Sequence, residues 1–112
     1  MAKVIVTRSL EEEIDGKFKQ DSLEIYDLMF TLKENPKKGK DVGAIGATAI
    51  KELKYNTFRF YFLVDRFKIK FLRVEELKDL IIKFVRMSGK NDQQKVINEI
   101  KHVLRTLGEA GF

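Results

Sequence analysis

Residues 49–86, with the sequence AIKELKYNTFRFYFLVDRFKIKFLRVEELKDLIIKFVR, are the part of the chain that indicates its fold class most clearly. Aromatic and β-branched residues dominate four runs within it, and the intervals between the runs are too short for long helices. We therefore predict four consecutive strands in an antiparallel meander, with the sequences AIKELKY, FRFYFLVD, FKIKFLR and DLIIKFVR. The connecting segment VEELK also fits a single helical turn.

The alternation of residue types is clearest in the third of these runs, FKIKFLR. Side chains alternate between the two faces of a strand. The two sets predicted on opposite faces are Phe67, Ile69 and Phe71 on one side and Lys68, Lys70 and Leu72 on the other. One face of the sheet is therefore predicted to be partly basic.

One strand and two helices are predicted before this stretch. Residues 3–8, KVIVTR, alternate β-branched residues as a short strand does. Ser9 is a suitable N-cap for a short helix that ends near Phe18. A second helix is predicted over residues 21–33, where apolar residues recur at helical spacing until Pro36 ends it.

Glycines mark the other boundaries of the chain. Residues 36–47, PKKGKDVGAIGA, hold the only proline and three of the seven glycines, so we predict a loop there. After the strands, Asn91 or Asp92 can cap a last helix that Gly108 ends. Its apolar stripe consists of Val96, Ile97, Ile100, Val103, Leu104 and Leu107. The two earlier helices, packed on one face of the sheet, would leave the other face open.

Composition predicts one domain that spans residues 1–112. A chain of this length with 44% hydrophobic residues can bury enough surface to fold without disulfides or a metal. It has no cysteine and one histidine, which excludes a thiolate zinc site and a multi-histidine metal site but leaves a carboxylate-bound magnesium open. The N-terminal sequence MAKVIVTRSLEEE resembles neither a signal peptide nor a membrane span. A cytoplasmic protein with no membrane partner is expected.

The charge balance leaves two interpretations open. Lysine and arginine number 22 against 17 acidic residues, which gives a net charge of +5. This excess favours a polyanion as a partner. Abundant charges of both signs are also typical of a heat-adapted protein with surface ion-pair networks. The placement of the charges has to distinguish the two.

Three segments resemble the RelE/ParE/HigB superfamily of toxin–antitoxin systems, and its HigB-like branch in particular. TLKENPKKGKDVG (31–43) resembles the family's helix end and loop "LKENPxxG", and IKELKYNTFRFYF (50–62) resembles its strand pair "xxELRxxxYRxxY". IIKFVRMSGKNDQQKVINEIKHVL (81–104) resembles the "GFxKKTQKTPxxEI" ending that leads into the final helix. The predicted order of elements is also that of the family.

The resemblance implies both a fold and a function. The implied fold is α+β and RelE-like, a curved antiparallel sheet with two N-terminal helices on one face and a C-terminal helix. The implied function is that of a toxin which cleaves mRNA at the ribosome without a metal or other cofactor, through attack of a ribose 2′-hydroxyl on the neighbouring phosphate. RNA or the ribosome and a cognate antitoxin are the implied partners, and no oligomeric state is predicted. A non-catalytic RNA- or protein-binding module of the same fold and a gyrase-directed, ParE-like protein are the alternatives.

Three residues match family positions that are basic, and in the expected sheet they would converge at one concave site: Arg59, Arg86 and Lys90. The expected catalytic residue is above all Arg59, because a guanidinium can present two donors to phosphate oxygens in a fixed geometry. Further RNA contacts are expected from four lysines: Lys38, Lys68, Lys70 and Lys83.

The sequence also departs from the family pattern. Ile50 and Glu52 stand near the family's lysines before the strand arginine, and Met87 replaces the second lysine of the "KK" pair. All three tyrosines precede the last two predicted elements, so the family's late tyrosine has no evident counterpart. The general acid and base are therefore unassigned, and the single His102 is predicted at the surface of the last helix.

Overall fold

A sheet with helices on both faces is the framework of the protein. A computed structural model describes all 112 residues. The elements in chain order are β1 (Lys3–Val6), α1 (Arg8–Phe18), α2 (Ser22–Phe30), β2 (Lys40–Ile45), β3 (Thr48–Tyr55), β4 (Phe58–Asp65), α3 (Arg66–Phe71), β5 (Ile81–Ser88) and α4 (Gln93–Leu107). Short 3-10 turns cover Lys19–Asp21, Thr31–Lys33, Val74–Glu76 and Gly108–Gly111. The predicted α+β class is confirmed.

The five strands lie in the order β1-β5-β4-β3-β2. The last four in sequence form an antiparallel meander, with Tyr61 opposite both Glu52 in β3 and Arg86 in β5. Three of its strands, β3, β4 and β5, lie on predicted runs, whereas β2 does not. β1 pairs with β5 in parallel, with Val4 opposite Ile82. The sheet is therefore mixed, and the prediction of a purely antiparallel sheet was wrong for its first strand.

Helix α3 replaces the predicted strand FKIKFLR, which was the main error of the sequence interpretation. The Asp65 carboxylate accepts hydrogen bonds from the backbone N–H of Phe67 and Lys68, at 3.0 and 2.9 Å, and so caps the first turn of the helix. β4 pairs directly with β5, so the chain between them needs only to connect neighbouring strand ends. Lys68 and Lys70 therefore lie on a helix, and the basic sheet face predicted from them does not exist.

Strand β2 lies inside the predicted loop of residues 36–47. Gly39 and Gly46, with φ of 109° and 58°, stand just outside its two ends. A Cβ on Gly39 would lie 2.8 Å from the Phe62 ring, so this position requires glycine for space as well as for conformation. These glycines mark the ends of a strand, whereas the sequence interpretation took them to mark one continuous loop.

Separate apolar clusters cover the two faces of the sheet. On one face α1 and α2 pack against strand side chains that include Phe60, Phe62 and Phe84, all fully buried. On the other face α4 packs against β3, β4 and β5, in a cluster of Ile50, Tyr61, Leu63, Val85, Val96, Ile97, Ile100 and Leu104. The prediction that the second face is open was therefore wrong, because the apolar stripe of α4 covers part of it.

The helix ends agree with the sequence in most places. The N-cap of α1 is Thr7 rather than Ser9, since the Thr7 Oγ1 accepts a hydrogen bond from the Leu10 N–H at 3.3 Å. Gly108, at a φ of 67°, ends α4 as predicted. Asp92 is the residue before α4 but makes no side-chain capping bond. None of the helices combines the length and the apolar composition that crossing a bilayer requires.

Candidate functional site

Arg59 lies near the start of β4, on the face of the sheet that α4 partly covers. It shares that face with Tyr61, two residues along the strand. Phe58 and Phe60 point to the other face, into the apolar cluster that α1 and α2 cover. In the sheet it stands opposite Ser88 of β5. Arg59 as a whole residue is partly buried, and its Nη1 donates an exposed hydrogen bond to the Thr57 carbonyl at 2.9 Å. The position of Arg59 in β4 thus fixes its Cα atom, and the hydrogen bond to the turn before β4 orients its guanidinium.

A buried hydroxyl pair lies next to Arg59. The Tyr61 Oη and the Ser88 Oγ are 2.8 Å apart, and both side chains are almost fully buried. Burial raises the pKa of Tyr61 and outweighs the Ser88 hydrogen bond, which lowers it. The charges of Glu52, Arg59 and Asp92 also act on this hydroxyl, the two acids raising the pKa and the arginine lowering it. Tyr61 is therefore protonated at neutral pH and lies amid three charged side chains.

Glu52 is the unusual member of this group. Its side chain is 8% exposed, and its Oε2 has no hydrogen-bond partner. Buried polar atoms without a partner are rare in proteins, because they lose their hydration without compensation. Glu52 stands directly opposite Tyr61 in the β3–β4 pair. A carboxylate beside an arginine and a buried tyrosine is a candidate acid–base group.

Arg86 stands two residue pairs along the β4–β5 ladder from Arg59 and Ser88, and its side chain contacts other groups. Its backbone pairs with Tyr61, its Nη1 donates to the Val85 carbonyl at 2.8 Å, and its guanidinium lies 4.8 Å from the centre of the Phe112 ring. It lines a cleft of about 690 Å³ with residues of α4, namely Lys95, Asn98, Glu99, His102 and Val103. The exposed His102 thus shares a cleft with Arg86, whereas the Arg59 guanidinium contacts the turn before β4.

Lys90 is exposed in the connection between β5 and α4. It follows Ser88 by two residues and therefore lies beyond the end of β5 where Ser88 faces Arg59. Its carbonyl accepts a hydrogen bond from the Gln93 side chain at 2.9 Å, which ties the connection to the first turn of α4. Of the three predicted catalytic residues, Arg59 and Lys90 belong to the same end of the sheet, and Arg86 contacts a different segment.

The four lysines predicted to bind RNA are distributed over three clefts. Lys68 and Lys83 share a cleft of about 520 Å³ with the carboxylates Asp65, Asp79 and Glu109. Lys70 lines a second cleft with Arg66 and Asp41. Lys38 lies in the turn before β2, beside Lys37 and Glu34. The fold therefore brings Lys68 and Lys83 together but places none of the four in a cleft with Arg59.

The placement of charges does not form the ion-pair networks of a heat-adapted surface. Only two ion pairs occur within 4.0 Å, Arg8–Glu12 and Arg73–Glu76, and both join exposed residues three or four positions apart. Such local pairs contribute little to stability. Basic and acidic side chains alike therefore lie mostly outside ion pairs.

Glu52, Tyr61 and Ser88 were not assigned to the site from the sequence. The only signal was that Glu52 stands where the resembled family has a lysine. Their proximity depends on strand register, in which Glu52 faces Tyr61 and Ser88 faces Arg59. Comparisons with protein-family models, with curated proteins and with solved structures gave no match.

Proposed function

We propose that the protein is a toxin-like endoribonuclease of the RelE/HigB type, which cleaves mRNA at the ribosome without a metal ion and has a cognate antitoxin as its partner. The observation that carries the proposal is the position of Arg59, a partly buried arginine on a strand, next to the buried residues Tyr61, Ser88 and Glu52. The three resembling segments and the net charge of +5 support it.

In this proposal Arg59 binds the phosphate that is cleaved. Negative charge grows on the phosphate oxygens as the ribose 2′-hydroxyl attacks, so a donor that is already held in place stabilises the transition state more than the ground state. The hydrogen bond to the Thr57 carbonyl leaves the other guanidinium N–H groups free for two phosphate oxygens. Lys90, exposed beyond the same end of the sheet, adds a second positive charge.

Glu52 acts as the general base in this scheme through its Oε1, since its Oε2 is enclosed by protein atoms. Its carboxylate takes the proton of the 2′-hydroxyl, the 2′ oxygen bonds to phosphorus, and the bond from phosphorus to the 5′ oxygen breaks. The products are a 2′,3′-cyclic phosphate and a 5′-hydroxyl, whose proton comes from water. The Tyr61 and Ser88 hydroxyl oxygens, 2.8 Å apart, join β4 to β5 next to these two charged residues.

The experiment that tests the function uses the purified full chain in a cell-free translation reaction with a defined mRNA. Primer extension would map the cleavage sites, and phosphatase treatment of the fragments would identify their ends. We expect cleavage in translated mRNA that leaves 2′,3′-cyclic phosphate ends. Intact mRNA at every protein concentration tested would contradict the proposal and favour the non-catalytic binding module.

A further inference from the structure

Helix α3 presents two phenylalanines to solvent. Phe71 is 69% exposed and Phe67 is 49% exposed, although large aromatic side chains are normally buried. They are four residues apart and so lie on the same side of the helix, about 6 Å apart along its axis. Ile69 points to the opposite side of the helix and packs against the apolar cluster that α1 and α2 cover. The helix is thus anchored by one apolar side chain while two larger ones remain outside.

Each exposed ring lies next to a cation. The Arg66 guanidinium is 5.7 Å from the centre of the Phe67 ring, and the Lys70 Nζ is 5.4 Å from that of Phe71. At about 100° per residue, Arg66 and Lys70 lie on one flank of the aromatic pair and Lys68 lies on the other. The outer surface of α3 therefore consists of two aromatic rings bordered by three positive charges.

These three cations have no ion-pair partner within 4.0 Å. Asp65 is used as the cap of α3, where it accepts two backbone hydrogen bonds. Asp41 lines the cleft beside Arg66 and Lys70, and Asp79 and Glu109 line the cleft beside Lys68, all without reaching ion-pair distance. The charge on this surface is therefore available to a ligand.

We propose that the outer surface of α3 is a stacking platform for single-stranded RNA. Two bases would stack on Phe67 and Phe71, and the phosphates between and beside them would contact Arg66, Lys68 and Lys70. A nucleotide joins an aromatic face to a negative charge, which is the complement of a ring bordered by cations. The platform deepens the proposed function by naming a second place where the RNA substrate is held, and it rests on that function for its biological meaning.

The test measures binding of a fluorescently labelled, unstructured RNA of about 12 nucleotides, within the site size of single-strand-binding domains, by anisotropy at low salt. The double variant Phe67→Ala/Phe71→Ala removes the rings and keeps the charges. Leu23→Ala is the matched control, because Leu23 is 71% exposed on α2. Lys68→Ala/Lys70→Ala removes two charges and keeps the rings. Circular dichroism would confirm that each variant is folded.

We expect each ring to contribute roughly 5-fold or more, so the double phenylalanine variant should bind at least roughly 25-fold more weakly, without a change in the salt dependence. The lysine variant should reduce the slope of log affinity against log salt concentration by roughly 1.4, or about 0.7 per lost phosphate contact on a single strand. Leu23→Ala should bind as the wild type does. Undiminished RNA affinity in the double phenylalanine variant would overturn the platform and assign the rings to a protein partner.

The test separates this proposal from the proposed function. A protein that binds RNA through Phe67 and Phe71 but leaves translated mRNA intact would support the platform and contradict the nuclease. A protein that cleaves mRNA while the double variant binds and cleaves equally well would support the nuclease and overturn the platform. Absence of RNA binding by the wild type at low salt would also overturn the platform.

Discussion

At the scale of single residues, the site contains one buried polar pair that is satisfied and one buried polar atom that is not. The Tyr61 and Ser88 hydroxyls satisfy each other at 2.8 Å, whereas the Glu52 Oε2 has no partner. A satisfied pair holds its neighbours in place, while an unsatisfied carboxylate costs stability. Sites that trade stability for activity have this pattern.

The substitution Glu52→Gln separates the contribution of Glu52 to mRNA cleavage from its contribution to folding stability. It keeps the shape of the side chain and removes its capacity to accept a proton. We expect mRNA cleavage to fall by about 10²- to 10⁴-fold, the usual contribution of a general base. The free energy of unfolding should change by no more than about 1 kcal/mol, because the wild-type oxygen already lacks a partner. Cleavage assays and urea denaturation measure the two quantities, and undiminished cleavage would remove Glu52 from the mechanism.

The Tyr61–Ser88 pair predicts non-additive effects on stability. Ser88→Ala or Tyr61→Phe alone leaves one buried hydroxyl without a partner and should cost about 1–3 kcal/mol. The double variant removes both hydroxyls and should cost less than the sum of the single variants. Denaturation of the four proteins gives this coupling energy directly. Additive costs would mean that the 2.8 Å contact does not act as a hydrogen bond in solution.

Lys51 predicts a dependence of stability on pH. It is 3% exposed, and its Nζ donates to the Lys37 carbonyl at 3.0 Å. Burial lowers its pKa below the ordinary 10.5, with a partial opposing effect of Asp41. Between the lowered pKa and 10.5 the unfolded chain binds more protons than the folded one, so the free energy of unfolding rises with pH in that window.

The variant Lys51→Met isolates this effect. Urea denaturation of both proteins from neutral pH to about pH 9.5, below the ordinary tyrosine pKa, gives the difference in unfolding free energy at each pH. We expect the wild type to gain stability relative to Lys51→Met as pH rises. A difference that stays constant would show that Lys51 titrates in the folded protein as it does in the unfolded chain.

At the scale of elements, α4 shows what a periodic pattern can predict. The apolar stripe and the terminal Gly108 predicted the helix and its end. They did not predict that the helix lies on the second face of the sheet, because a stripe does not specify its partner. Within the stripe, Ile100 is fully buried but Leu107 is 66% exposed.

Because the burial of these two residues differs, substitution by alanine should lower the free energy of unfolding by different amounts at Ile100 and Leu107. Ile100→Ala should lower the free energy of unfolding by about 2–5 kcal/mol, since it leaves a cavity between α4 and the sheet. Leu107→Ala should change it by less than about 0.5 kcal/mol, as is usual for exposed side chains. Equal effects of the two substitutions in denaturation experiments would contradict the packing of α4.

Two segments, β2 and α3, adopt a different secondary structure from the one that their local sequence patterns predict. FKIKFLR alternates as a strand does. It is nevertheless helical, because Asp65 caps its first turn and β4 pairs directly with β5. The segment around β2 contains glycines typical of a loop, but its pairing with β3 makes it an edge strand. In both segments, contacts with distant residues override the local preference.

At the scale of the whole molecule, the class of fold was predictable and the composition of the site was not. Local patterns of residue type predicted the strands and helices other than β2 and α3. The meeting of Glu52, Tyr61 and Ser88 beside Arg59 depends on the registers of three strands, including an irregularity between Tyr61 and Phe62. A one-residue shift in either pairing would direct these side chains to the other face.

The central claim is that Arg59 acts on the cleaved phosphate, and its most direct test compares cleavage of translated mRNA by four proteins in matched amounts. Arg59→Ala should cleave roughly 10²- to 10³-fold more slowly than the wild type, the usual effect of losing one preorganised donor. Arg59→Lys should remain strongly impaired, because an ammonium lacks the planar arrangement of two donors. Lys38→Ala, in the exposed turn before β2, should lose only a modest part of RNA affinity. If Arg59→Ala, shown to be folded by circular dichroism, cleaves as fast as the wild type, Arg59 is not the phosphate-binding residue.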